Sequence, residues 1–84
     1  MTKSLFSDRY DQFRRLLIEA RTAKDLSQRD LALRLDRPQS YVSKYERGER
    51  RLDVIEFLQI AETLEIDPFA FLTQLKAIAS QTVD

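Results

Sequence analysis

Residues 26–51 read LSQRDLALRLDRPQSYVSKYERGERR, two short helical patterns on either side of a break, the second without a clean apolar stripe. Ser27-Gln28-Arg29-Asp30 has the form of a capping box. The Ser27 hydroxyl accepts from the third backbone amide and Asp30 reaches back, although Asp is shorter than the usual Glu. The helix so opened runs to about Leu35 and buries Leu31, Ala32 and Leu35. Asp36-Arg37-Pro38 ends it, because proline disfavours helical geometry in the residue before it and lacks an amide hydrogen. Pro38 suits the first position of a new helix. A third helix is therefore predicted over about residues 38–47, with Val42 and Tyr45 facing inward and Gly48, the only glycine of the chain, as its stop.

The flanking segments also read as helices. Tyr10, Phe13, Leu17 and Ala20, with Leu16 beside them, repeat at i, i+3, i+4 and i+7, which marks a first amphipathic helix over about residues 7–24. Ser7 is placed to cap it, with Asp8 and Asp11 near the positive end of its dipole; Leu5 and Phe6 precede it as a hydrophobic staple or a short arm. Asp53-Val54-Ile55-Glu56 is a second capping box. It opens a fourth helix whose expected buried stripe is Ile55, Leu58, Ala61 and Leu64. Asp67-Pro68 caps and starts a fifth, in which Phe69, Phe71, Leu72, Leu75 and Ile78 are unusually apolar for the end of a small domain. No alternating strand pattern or repeat occurs, so the expected fold is all-α, five helices with short connections in one domain spanning 1–84.

With 84 residues, the chain buries only about 60% of its unfolded surface, and burial against a second copy would help. No apolar run approaches the roughly 20 residues that span a bilayer, and residues 1–4 lead into nothing like a signal sequence. The expectation is a cytoplasmic, nucleoid-associated protein with no membrane contact. Cys and His are both absent. That excludes disulfides, the usual zinc and haem ligands, thiolate nucleophiles and imidazole acid/base chemistry. A Gly-rich phosphate loop is excluded as well. No enzyme activity, cofactor or metal is expected.

The formal charge is zero, but it is unevenly spread: residues 1–26 carry +2, residues 27–51 carry +3 and residues 52–84 carry −5. Affinity for a polyanion depends on the face presented, since Lys and Arg near phosphates release condensed counterions wherever the remaining charge lies. A first short helix that positions a second, with an exposed polar and basic face on the second, is what reading DNA in the major groove requires.

Several features resemble the lambda-repressor-like, Cro-type (XRE) helix-turn-helix family over about residues 10–73. They are Ser27-Gln28 opening the second helix, Leu31-Ala32 within it, Val42, Tyr45-Glu46-Arg47-Gly48 closing the third helix, and Ala61, Leu64 and Ile66 ending the fourth, with Arg21 before them. The resemblance implies a five-helix DNA-binding domain with a central helix-turn-helix at about 27–47. Asp36 departs from the family's usual glycine in a turn that tends to want positive φ, a conformation Asp tolerates better than most residues. Ala32 is expected at the crossing of the second and third helices, where a larger side chain would misaim the latter.

The same resemblance, together with base-edge chemistry, nominates the site. Gln39, Ser40 and Lys44 fall where family members contact bases; Gln pairs with adenine, Lys donates to guanine, and Ser accepts either partner. Gln28 resembles a family glutamine that bonds a phosphate and braces the first reading residue, here Gln39. Arg37, Arg47, Arg50 and Arg51 are candidate phosphate clamps, with Lys44 able to serve as one too. Tyr41 and Ser43 are candidates for phosphate contact, Tyr41 being equally able to lean on the second helix. Arg21 and Glu46 correspond to a family ion pair that ties the first helix to the end of the third and holds Arg21 rigidly enough to touch a phosphate as well.

Leu75, Ile78 and Ala79 extend the fifth helix beyond the usual family end at Phe71. These four are the expected interface of a two-fold dimer, with residues 74–84 as either a dimerisation extension or a tail. The function expected is a sequence-specific DNA-binding transcriptional regulator, a repressor acting as a homodimer on a palindromic operator in double-stranded DNA. The alternative is an antitoxin or adaptor that binds a protein partner through the C-terminal helix and autoregulates through the same motif.

Overall fold

The computed structural model describes the backbone of residues 5–81 and the side chains of residues 8–78. Five helices follow in order: α1 (Leu5–Ala23), α2 (Gln28–Leu35), α3 (Gln39–Arg47), α4 (Val54–Leu64) and α5 (Pro68–Gln81). Among the described residues there is no strand, and no helix is long and apolar enough to cross a membrane. Helix α2 packs on α3 and α4, and α1 on α3 and α5.

Local chemistry explains most boundaries. Both capping boxes form: Ser27 and Asp30 exchange bonds of 3.0 Å in each direction, and Asp53 and Glu56 do so at 2.7 and 3.0 Å. Asp67 accepts from the Phe69 amide at 2.9 Å, so Pro68 opens α5 where its missing amide costs nothing. Two starts differ from expectation. Pro38 is the cap of α3, with extended geometry, and the helix proper begins at Gln39. Ser7 lies inside α1 instead of capping it; its side chain, like those of Leu5 and Phe6, lies outside the described residues.

The helix ends share one device. The amides of Leu26, Arg37, Glu49 and Ile66 each return to the carbonyl five residues back, closing the last turns of α1 to α4. That closure needs one left-handed residue per end. Gly48 supplies it once, at φ +82°, and Asp25, Asp36 and Glu65 supply it elsewhere at φ 57°, 57° and 59°. Gly48 has a second constraint: a β-carbon there would come within 3.1 Å of Arg14 Nε.

The core gathers Leu16 and Leu17 of α1, Leu31 and Ala32 of α2, Tyr41, Val42 and Tyr45 of α3, Phe57, Ile60 and Leu64 of α4, and Phe71 of α5. Two expectations fail here. Ile55 is 63% exposed and Leu58 only half-buried; α4 buries the expected Ala61 and Leu64 together with Phe57 and Ile60. Phe71 is not free for an interface between copies: it is buried in this chain's own core, its ring 5.1 Å from Phe57 and 5.7 Å from Phe13. Leu75 and Ile78 are half-buried against the same core, and the Ala79 side chain lies outside the described residues.

Candidate nucleic-acid interface

Helix α3 has two opposite faces. At roughly 100° per residue, positions 39, 40, 43, 44 and 47 fall within an arc of about 140°, and 41, 42, 45 and 46 on the opposite side. The burial follows that division: Gln39, Ser40, Lys44 and Arg47 are exposed and Ser43 half-buried, whereas Tyr41, Val42, Tyr45 and Glu46 are buried. Val42 is fully enclosed and Ala32 nearly so, which fixes the rotation of α3 against α2. The sequence-nominated reading residues therefore share one outward face, with Arg37 exposed just before its N-terminus.

The inward face is tied down by charge as well as by packing. Glu46 is only 4% exposed. Arg21 Nε donates to its Oε2 at 2.8 Å and Arg21 Nη2 to its Oε1 at 3.1 Å, a two-pronged pair, while Nη1 reaches the Leu26 carbonyl at 2.8 Å. Gln28 Nε2 adds a bond of 2.9 Å to Oε1. The expected Arg21–Glu46 pair is thus present. Gln28 joins it from the start of α2 and does not brace Gln39; its amide is held by the buried carboxylate, the strongest acceptor within reach.

The loop after α3 is held by α1. The Arg14 guanidinium donates to the Glu46 carbonyl and pairs with Asp11 at 3.1 Å. The Tyr10 hydroxyl accepts from the Leu52 amide at 3.2 Å and donates to the Arg50 carbonyl at 3.4 Å. Arg51 lies over the Tyr10 ring at 4.4 Å. Neither Tyr10 nor Arg14 was nominated from the sequence, because their partners lie more than 30 residues away and no spacing rule reaches them.

The cationic candidates are engaged to different degrees. Arg47 pairs in the open with Glu49 at 2.9 Å, which draws the Glu49 carboxyl below its usual range. Arg50 pairs with Glu56 at 2.6 Å. The guanidiniums of Arg37 and Arg50 lie 4.5 and 4.9 Å from the Tyr41 ring centroid, and that ring meets Tyr45 edge-on at 5.5 Å. Tyr41 is thus a core residue carrying two cations, and burial pushes its hydroxyl pKa up. Ser43 donates to the Ser40 carbonyl at 3.3 Å.

Two helices joined at a left-handed Asp36, the second bolted by its inner face and open on its outer face, make a helix-turn-helix. The helix-turn-helix family HTH_3 matches residues 17–71. An XRE-family-like protein from Pseudomonas syringae pv. tomato str. DC3000 superposes with a TM-score of 0.83 and is 49% identical, covering 87% of this chain and 89% of its own. The wild-type restriction-modification controller protein C.Esp1396I superposes with a TM-score of 0.75 at 25% identity, over 82% of this chain and 90% of its own. No curated relative matches by sequence. The chain belongs to the XRE family of helix-turn-helix proteins and is a DNA-binding regulator.

Proposed function

We propose that this regulator is a repressor that binds a palindromic operator as a homodimer, with α3 in the major groove. The observation that carries the reading is the outward face of α3, where Gln39, Ser40 and Lys44 meet solvent together on a helix whose opposite face is bolted to α1 and α2. A rigid helix with a polar face is what base-edge recognition needs, since each two-pronged contact to a base contributes about 1–3 kcal/mol of discrimination. Phosphates are gripped around it by Arg37, Lys44 and Arg47, by Arg51, and by Arg21 and Gln28 through whatever donor capacity Glu46 leaves them. Repression follows from occlusion of polymerase.

The homodimer draws support from a surface other than the one expected. Val54 and Phe69 are 71% and 79% exposed, and with Leu58 and Leu72 they border an almost wholly apolar groove of about 360 Å³ between the starts of α4 and α5. Contiguous apolar surface of this kind marks an interaction site. In the proposed dimer it takes the place of Phe71, and the two copies of α3 read half-sites about one DNA turn, roughly 34 Å, apart. A protein partner of the adaptor type would dock on the same groove. Sedimentation of the chain with and without a selected duplex tests the reading. Two chains per duplex and a self-associating free chain support it, whereas a monomer that loads singly removes the homodimer.

A further inference from the structure

Arg50 follows Gly48 in the basic loop between α3 and α4, yet its charge is already engaged within the chain. Its Nη2 and Nη1 donate side by side to the two carboxylate oxygens of Glu56, at 2.6 and 3.1 Å, and Nη1 also reaches the Arg51 carbonyl at 3.3 Å. The guanidinium is held over the Tyr41 ring as well, so both its edge and its plane are fixed. Glu56 is immobilised from its other side, because its carboxylate accepts from the Asp53 amide at 3.0 Å as part of the α4 capping box. The Arg50 side chain remains 37% exposed and that of Glu56 14%. The hydrogen bonds from Arg50 and from Asp53 hold the Glu56 carboxyl at about 2, so the pair is charged throughout the pH range of DNA binding.

A phosphate that approaches Arg50 meets a guanidinium backed by its own carboxylate. Affinity for DNA grows with the phosphate charge neutralised and the counterions released, and a cation that brings an anion contributes little to either. We infer that Glu56 sets the strength of DNA binding by withholding the charge of Arg50 from phosphate. Glu56 is a positioning residue: it acts through Arg50 and touches neither the α3 reading face nor the DNA. The consequence is a weaker, less salt-sensitive grip on DNA of any sequence, because the sequence-independent part of the affinity is almost wholly electrostatic and loses one phosphate contact. The inference rests on the reading of the α3 face and the following loop as the DNA interface.

The test needs no knowledge of the operator. Binding of the full chain to a short random-sequence duplex is measured by fluorescence anisotropy over a salt series for the wild type, Glu56→Gln, Arg50→Gln and the double variant. Glutamine keeps a side-chain oxygen for the Asp53 amide. Glu56→Gln is expected to bind several-fold tighter at low salt, with a slope of log affinity against log salt steeper by about 0.9, the signature of one added phosphate contact. In the Arg50→Gln background that gain disappears. A slope for Glu56→Gln equal to or shallower than the wild type, or a gain that survives Arg50→Gln, overturns the inference. Thermal melts on the same samples check folding. Should Glu56→Gln not fold, Glu56→Asp keeps the charge and shortens its reach to Arg50; a steeper slope there supports the inference and an unchanged one sinks it. A wild type that binds no duplex at low salt removes the interface reading, and this inference with it.

Discussion

Replacing Arg21 by alanine removes three donors at once: the two that pair with Glu46 and the one that closes on the Leu26 carbonyl. Glu46 is then left 4% exposed with Gln28 as its remaining side-chain donor. Stranding one charge of a buried pair costs about 3–5 kcal/mol, because the desolvation of the survivor is no longer offset. A domain of this size has a total stability of about 4–12 kcal/mol. Since each kcal/mol shifts the melting temperature of such a domain by about 4–8 °C, Arg21→Ala is expected to lower it by at least about 12 °C, and to weaken DNA binding because α3 is no longer bolted. Lys44→Ala removes an exposed side chain from the reading face. It should stay within about 0.5 kcal/mol of wild-type stability while weakening DNA binding. Thermal unfolding by circular dichroism, with anisotropy titrations on the same preparations, separates the two effects. A control sharpens the cause: Arg21→Met with Glu46→Leu removes both charges, and recovery of much of the lost stability identifies the stranded carboxylate as its source. Equal thermal losses from Arg21→Ala and Lys44→Ala would refute the reasoning.

Other substitutions test separate parts of the account. Glu65 ends α4 in the left-handed region with a carboxylate at the negative end of the helix dipole; Glu65→Gly should therefore stabilise by about 0.5–1 kcal/mol in thermal unfolding, and a lower melting temperature would count against the strain argument. Gly48→Ala should destabilise by about 1–2 kcal/mol, since a β-carbon disfavours positive φ and would press on Arg14; denaturant titration reads it directly. The Glu56 carboxyl, at about 2 in the folded chain, lies below its value of about 4.3 in the unfolded one. It thus contributes stability above that range and loses it as pH falls toward 2. The stability difference between wild type and Glu56→Gln should be full at neutral pH and shrink in acid; a difference that grows in acid contradicts the pairing. Phe69→Asp should abolish self-association in sedimentation while the chain keeps its helical circular dichroism, and a persistent dimer would move the interface elsewhere.

What the sequence made legible was local. Capping boxes, the Pro38 break, the Gly48 stop and the αL tolerance of Asp36 depend on residues within a turn of one another, and the Ser27 and Asp53 boxes form as read. The inward and outward faces of α3 were also readable at Val42, Tyr45, Gln39, Ser40 and Lys44. Helix α4 was legible only in part: Ala61 and Leu64 are buried as expected, but VIEFLQIAETL carries two overlapping apolar ladders, and only tertiary packing, with the Phe57 ring against Phe13 and Phe71, decides that Phe57 and Ile60 face inward and Ile55 outward. Phe71 was misassigned for a similar reason: a fifth helix at the end of a small domain looks spare until Phe13 and Phe57 are found around its ring. Side-chain partners that belong to different elements were the least accessible. The Arg21–Glu46 pair came from family resemblance, while Gln28 on Glu46, Arg50 on Glu56 and Tyr10 on the α3–α4 loop emerged only with the fold.

The outward face of α3 is proposed to read base sequence. Selection of bound molecules from a random duplex pool, run in parallel for the wild type, Gln39→Ala and Lys44→Ala, addresses it most directly. An enriched wild-type site made of two inverted half-sites is expected, with a relaxed preference at one base position in each half-site for each variant and the remaining positions retained. No enriched sequence for the wild type, or the same full site enriched by all three proteins, would contradict it.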